Sequence, residues 1–185
     1  MKECVHPQGE DRAPAAQGEA MSERSDFDCA LDFVVSWEGG VLVDRSKLPD
    51  ERISERANPD LWAQGKIDME ATCELYHERY WLAAGCDGLP WPLCLVVFHI
   101  AVQTGPRRAR RLRSYNERLF PGLPSAPPTV RALILLSEYS ATLDILIAEH
   151  PQASRHREGW MRRIGDLARV CVSERRPRQT EAAHG

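Results

Sequence analysis

The sequence predicts a mainly α protein built as one domain. Apolar residues recur at helical spacing through most of the chain, and only residues 41–57 alternate in a way that allows a strand. The chain has 185 residues and 43% hydrophobic content, which is enough for one sizeable core. We expect a helical domain over residues 26–170, with at most a small β-hairpin after the first helix, between a disordered tail at 1–25 and a loose tail at 171–185.

Two helices are predicted in the first half of this domain. The first has Ser25 or Asp26 as its cap and ends at Gly39-Gly40, because serine and aspartate cap helix N-termini and glycine commonly ends a helix. The second is capped by Asp68 and continues to about Tyr80.

Four further helices are predicted in the second half. Residues 91–102 form the most hydrophobic segment and indicate a central buried helix, with a buried strand as the minority alternative. Pro106 opens the next helix, residues 128–149 form a long amphipathic one, and residues 154–170 form the last. The helix that Pro106 opens carries a cluster of arginines: Arg107, Arg108, Arg110, Arg111 and Arg113. This cluster is either an ordinary solvated face or an anion-binding and docking surface.

The charge balance and the cysteine pattern argue against several classes of function. With 24 Lys+Arg against 27 Asp+Glu the net charge is −3, so no global basic field predicts a nucleic acid or an anionic membrane as partner. The six cysteines are scattered without a Cys-x-x-Cys pair and are interpreted as reduced thiols. We therefore predict neither a metal nor another cofactor.

Five short motifs follow one another along residues 26–167. They are Trp37-Glu38-Gly39-Gly40, Tyr76-His77-Glu78-Arg79-Tyr80-Trp81, Cys86-Asp87-Gly88-Leu89-Pro90, Phe98-His99-Ile100-Ala101-Val102-Gln103-Thr104-Gly105 and Gly159-Trp160-Met161-Arg162-Arg163. In this order they resemble glycoside hydrolase family 108, the phage and bacterial N-acetylmuramidases. The resemblance implies a lysozyme-like helical fold and hydrolysis of the peptidoglycan glycan strand.

The resemblance also implies catalytic residues. Glu38 matches the essential glutamate of the family, which acts as the general acid on the leaving oxygen. Asp44 lies at the spacing where the family commonly has an aspartate, and Asp50 is the second candidate if the loop carries a small insertion. A carboxylate partner is expected because the reaction also needs a group to activate water or stabilise the oxocarbenium charge.

The loop after Glu38 and the fourth motif differ from the family pattern. Family members carry Asp-x-Gly-Gly-x-Thr in this loop, whereas residues 47–55 contain no glycine, and Ser54 is the candidate replacement for the threonine. His99 and Gln103 replace an aspartate and an asparagine of the family motif. We predict Ser54, Tyr80, His99 and Gln103 as substrate-binding residues, with core packing as the alternative for His99 and Tyr80.

Two functions from different classes follow. The first is an active muramidase, and the second is a catalytically inactive lysozyme-like domain that binds a glycan or a protein. Residues 1–25 contain no apolar run typical of a signal peptide, and no segment reaches the ~20 apolar residues that span a bilayer. We expect a cytoplasmic protein without stable membrane insertion, which would reach the cell wall or periplasm only through a holin-like or secretion partner, as the resemblance to endolysins implies.

Overall fold

The computed structural model describes residues 24–37 and 69–173. Six α-helices account for most of them: α1 (Asp26–Trp37), α2 (Met69–Tyr76), α3 (Leu93–Thr104), α4 (Pro106–Leu119), α5 (Pro128–Glu149) and α6 (Arg157–Ser173). A π-helical segment (His77–Leu82) continues α2, and short 3-10 helices (Leu123–Ser125 and Pro151–His156) precede α5 and α6. The described residues form no strand, so the mainly α class is confirmed. The possible hairpin at 41–57 lies outside the described residues, as do most of the two predicted tails.

The start of α1 agrees with the capping prediction. The Ser25 hydroxyl accepts a hydrogen bond from the backbone N–H of Asp28 at 3.1 Å, and the Asp28 carboxylate accepts one from the Ser25 N–H at 3.2 Å. This reciprocal pair satisfies two N–H groups at the start of the helix, in the manner of a capping box. Trp37 is the last described residue of α1, and the predicted helix end at Gly39-Gly40 lies outside the described residues.

The helix predicted to end near Tyr80 changes its geometry at His77. The π-helical turn closes on the fifth residue rather than the fourth, so Tyr76 and Trp81 can both face the core, and each is only 3% exposed. The segment then ends at Gly85, whose φ of 72° is accessible to glycine without strain. Backbone bonds from Gly85 N–H to the Leu82 carbonyl and from Cys86 N–H to the Trp81 carbonyl complete this terminus as a Schellman motif.

Helix α3 is the centre of the fold. Every residue from Leu93 to Val102 is buried, and α3 contacts α1, the π-helical segment, α4 and α5. A helix that is apolar all round is stable only where neighbours cover it on all sides, which is the situation of α3. The prediction of a central buried helix is confirmed, and the strand alternative was wrong.

The remaining helices follow the sequence closely, with differences at the last one. Gly105 has a φ of 92° and turns the chain from α3 into α4, which begins at Pro106 as predicted. The last helix was predicted over residues 154–170 but runs from Arg157 to Ser173, because residues 151–156 form a 3-10 helix and the fully buried Cys171 extends the packed face beyond residue 170.

Candidate active-site framework

The C-terminal end of α1 leads directly to Glu38, the predicted general acid. Trp37, its last described residue, is partly buried against the core, and Glu38 is the next residue along the chain. The guanidinium carbon of Arg163 on α6 lies 5.8 Å from the centroid of the Trp37 ring. That is within the range of a cation–π interaction, so α6 contacts the residue that precedes Glu38.

The predicted carboxylates themselves are not part of the described structure. Glu38, Asp44 and Asp50, and the predicted substrate-binding Ser54, all lie outside the described residues. Their roles therefore stay predictions, and the described residues give the framework that precedes and follows this loop.

His99 lies inside the helical core. Its side chain is 1% exposed, and its ring makes edge contacts with Phe33 of α1 at 6.2 Å and with Tyr139 of α5 at 6.1 Å between centroids. Phe33 stands one helical turn before Trp37, so His99 packs beneath the second half of α1. The core placement is the alternative that the sequence left open for His99, and a contact with substrate stays a prediction.

An aromatic cluster joins two of the motifs in space. The Phe98 ring makes edge contacts with the rings of Phe27, Tyr76 and Trp81, at centroid distances of 5.9, 6.4 and 5.5 Å. Edge-to-face contacts of this kind stabilise by about 1 kcal/mol beyond the burial of the rings. Phe98 thereby fixes the first half of α1 and the π-helical segment on α3.

The other two predicted contacts are half-buried. The Tyr80 ring lies 5.5 Å from that of Tyr76 at an interplanar angle of 38°. Gln103 lies one turn after His99, next to Thr104, whose hydroxyl donates to the Ile100 carbonyl at 2.8 Å. Their partial exposure is compatible with substrate contact, and this role stays a prediction for both.

The motif around Cys86 has a structural role. Cys86 and Cys94 are fully buried, and burial raises the pKa of the Cys86 thiol to about 12. A thiol with so high a pKa is protonated at neutral pH and is a poor nucleophile. Five free cysteines lie in the described part of the chain, and the reduced state of the thiols stays a prediction.

The described residues contain neither a candidate metal cluster nor a candidate membrane span. Residues 24–37 and 69–173 contain no group of three or more histidine, cysteine, aspartate or glutamate side chains that could hold a metal ion. Within the same ranges, no helix combines the length and the apolar character needed to cross a bilayer.

The comparison with protein families extends this picture. Residues 31–105 match the family model described as glycosyl hydrolase 108. The match supports membership of glycoside hydrolase family 108. No curated protein and no solved structure matches the chain.

The family 108 segment starts within α1 and ends at Gly105, so it includes Glu38 and the first four of the five motifs. The fifth motif lies beyond it, on α6. The contact of Arg163 with Trp37 links this last motif to the first one.

Sequence reasoning did not single out Arg163, Phe33 or Tyr139 as neighbours of the site. For Arg163 the sequence did contain a signal, because Arg163 is the last residue of the fifth motif and Trp37 is the first residue of the first motif. For Phe33 and Tyr139 no signal was available, since aromatic residues at helical spacing are common in any helical core.

Proposed function

We propose that the protein is an N-acetylmuramidase that hydrolyses the glycan strand of peptidoglycan. The observation that carries the proposal is the family 108 match over residues 31–105, which spans Glu38 and the loop that follows it. The helical framework before Glu38 supports the proposal, because His99 of α3 packs on Phe33 and Arg163 of α6 packs on Trp37, the residue that precedes Glu38.

In the proposed reaction Glu38 protonates the glycosidic oxygen as the bond to the anomeric carbon breaks. Asp44 or Asp50 then activates the attacking water or stabilises the oxocarbenium charge. A rigid α1 matters for this role, because a general acid acts only within hydrogen-bond distance of the oxygen that it protonates. The contacts of Trp37 and Phe33 with other helices supply that rigidity up to the last residue before Glu38.

One sequence observation favours a second function. Residues 47–55 lack the glycines with which family members bring their backbone close to the sugar, so the domain could have kept its fold and lost its reaction. In that case the same surface would bind a glycan or a protein without cleaving it. We propose a cytoplasmic site of synthesis in either case, with access to the cell wall through a partner such as a holin if the protein is an endolysin.

The deciding experiment measures the clearing of purified peptidoglycan by the wild-type protein and by Glu38→Gln. The variant keeps the shape of the side chain and removes its acid, so clearing should fall by orders of magnitude. New reducing ends, labelled by borohydride, should appear at N-acetylmuramic acid. Glu74→Gln is the matched control, because Glu74 is an exposed carboxylate on α2.

Two further variants identify the partner of Glu38. Asp44→Asn and Asp50→Asn are compared, and the larger loss of rate marks the second catalytic carboxylate. If the folded wild-type protein releases no reducing ends, the muramidase proposal is wrong. Binding of intact glycan strands by such a protein would then favour the inactive domain.

A further inference from the structure

Helix α4 carries a row of arginines along one face. Arg107, Arg111 and Arg118 recur at intervals of one or two helical turns, so they lie on a single stripe of the helix. Arg108 and Arg110 lie on either side of these three residues. The first and last of these residues are ~16 Å apart along the helix axis, given the rise of 1.5 Å per residue. We call these five residues the arginine stripe.

The buried face of α4, opposite the arginine stripe, determines which way the stripe points. Ala109 and Asn116 are each 1% exposed, and α4 packs on α3 and α5. All five arginines of the stripe are exposed. The fold therefore holds the stripe towards the outside of the domain.

The charges of the stripe are not neutralised within the described part of the chain. No carboxylate of residues 24–37 or 69–173 forms an ion pair with a stripe arginine. The carboxylate of Glu117, on the same helix, instead lies 3.8 Å from Arg113 and 3.8 Å from Arg131. Glu117 is thus engaged by two arginines outside the stripe.

The exposed arginines of α6, unlike those of the stripe, form ion pairs. Arg157 pairs with Asp144 at 3.4 Å, Arg162 pairs with Glu158 at 2.6 Å, and Arg169 pairs with Asp166. Each of these three cations faces a carboxylate, so their charges are largely neutralised. These exposed arginines of α6 form ion pairs with carboxylates, whereas those of the stripe form none with the described residues.

The surface along the stripe is open and partly apolar. Arg107, Arg110, Arg111 and Arg118 line an open depression together with Ser114, Tyr115 and the single carboxylate of Glu117. At the end of the helix three large side chains are exposed: Tyr115 at 46%, Leu119 at 49% and Phe120 at 45%. A depression this open does not enclose a small molecule, and it suits an extended anionic surface.

We propose that α4 is a peripheral docking surface for a bilayer rich in anionic phospholipid. The arginine stripe would bind headgroup phosphates, while Tyr115, Leu119 and Phe120 would enter the boundary between headgroups and acyl chains. The exposed Leu119 and Phe120 favour lipid over nucleic acid, because a phosphodiester backbone offers them no apolar partner. The net charge of −3 does not oppose the contact, since screening at ~0.1 M salt limits the reach of distant charges to about 10 Å.

The test is co-sedimentation of the full chain with vesicles of phosphatidylglycerol and phosphatidylcholine in equal parts, and with vesicles of phosphatidylcholine alone. Three protein forms are compared: wild type, a stripe variant (R107Q, R111Q and R118Q) and a matched α6 control (R157Q, R162Q and R169Q). Each variant loses three positive charges, and glutamine keeps helix propensity close to that of arginine. The stripe variant should lose on the order of 100-fold in partitioning to the anionic vesicles, and the control should lose much less.

A variant that removes two exposed apolar side chains tests the second half of the proposal. Leu119→Ser with Phe120→Ser should weaken binding while leaving its salt dependence unchanged, because no charge is removed. Equal binding of wild type to anionic and neutral vesicles would overturn the proposal, as would equal losses in the stripe variant and the α6 control. Tighter, stripe-dependent binding to duplex DNA than to the vesicles would also overturn it and identify a nucleic-acid surface.

Discussion

Arg163 on α6 places its guanidinium 5.8 Å from the ring of Trp37 on α1. The two residues are far apart in sequence, and Trp37 directly precedes the proposed acid Glu38. A cation above an indole ring is worth ~0.5–1 kcal/mol at an exposed site and more when it is desolvated. Arg163 therefore supports the end of α1 from outside the family 108 segment.

This contact predicts a selective effect of Arg163→Met. The free energy of unfolding should fall by about 1 kcal/mol, and the turnover number on peptidoglycan should fall on the order of tenfold because a displaced acid acts poorly. The Michaelis constant should change little, since Arg163 is proposed to position the acid rather than to bind the glycan. Urea unfolding and initial clearing rates provide the measurements.

Arg162→Met is the control, because Arg162 is adjacent in sequence but forms an exposed pair with Glu158. Such a surface pair contributes ~0–1 kcal/mol, so stability and rate should stay near those of the wild type. Equal effects of the two substitutions would contradict a specific role for Arg163.

The buried position of Asn116 on α4 indicates that an apolar substitution there would stabilise the protein. Its side chain is 1% exposed, and neither its amide nitrogen nor its amide oxygen has a hydrogen-bond partner among the described residues. Burying an unpaired amide costs about 1–3 kcal/mol. Asn116 borders a small cavity lined by Leu93, Leu123 and Leu135 and by the charged Arg113, Glu117 and Arg131, so the three leucines are the partners of an apolar side chain at this position.

Asn116→Leu should therefore raise the free energy of unfolding by about 1–2 kcal/mol. Thermal and urea unfolding are the measurements. Gln152→Leu is the control, because it makes the same kind of change at an exposed position and should be nearly neutral. A less stable Asn116→Leu variant would show that the amide is satisfied in solution and contributes to the core.

The buried thiols predict a loss of stability in alkali. Burial raises the pKa of Cys86 to about 12 and that of Cys171 to about 11, against 9.0 for the ordinary thiol. Above pH 9 the unfolded chain releases these protons while the folded chain keeps them, so the unfolded state is favoured increasingly. The stabilisation is complete below pH 9 and is lost as the pH rises towards the folded-state values.

Each of the two thiols should lower the free energy of unfolding by about 1.4 kcal/mol per pH unit above pH 9. Urea unfolding at several pH values between 8 and 11 measures the combined slope. A double variant, Cys86→Ala with Cys171→Ala, should have a shallower slope whatever its absolute stability. Identical slopes in the wild type and the double variant would contradict the assignment of the alkaline loss of stability to Cys86 and Cys171.

The sequence by itself determined the helices and the central position of α3. Capping at Ser25, the start of α4 at Pro106 and the bounds of α5 depend on a few adjacent residues, and the burial of α3 follows from its uninterrupted apolar composition. The family resemblance likewise depends on short motifs that can be seen in the sequence. Local patterns suffice where the physical cause is itself local.

The tertiary structure decided the features that depend on residues distant in sequence. The contact of Arg163 with Trp37, the burial of His99 between Phe33 and Tyr139, and the π-helical turn that brings Trp81 to Phe98 all join different helices. The arginines of α4 could be seen in the sequence, but the lack of ion pairs between the five stripe arginines and carboxylates of the described residues could not. Each feature is set by the packing of one helix on another, and the periodicity of a single helix carries no information about which helices pack against it.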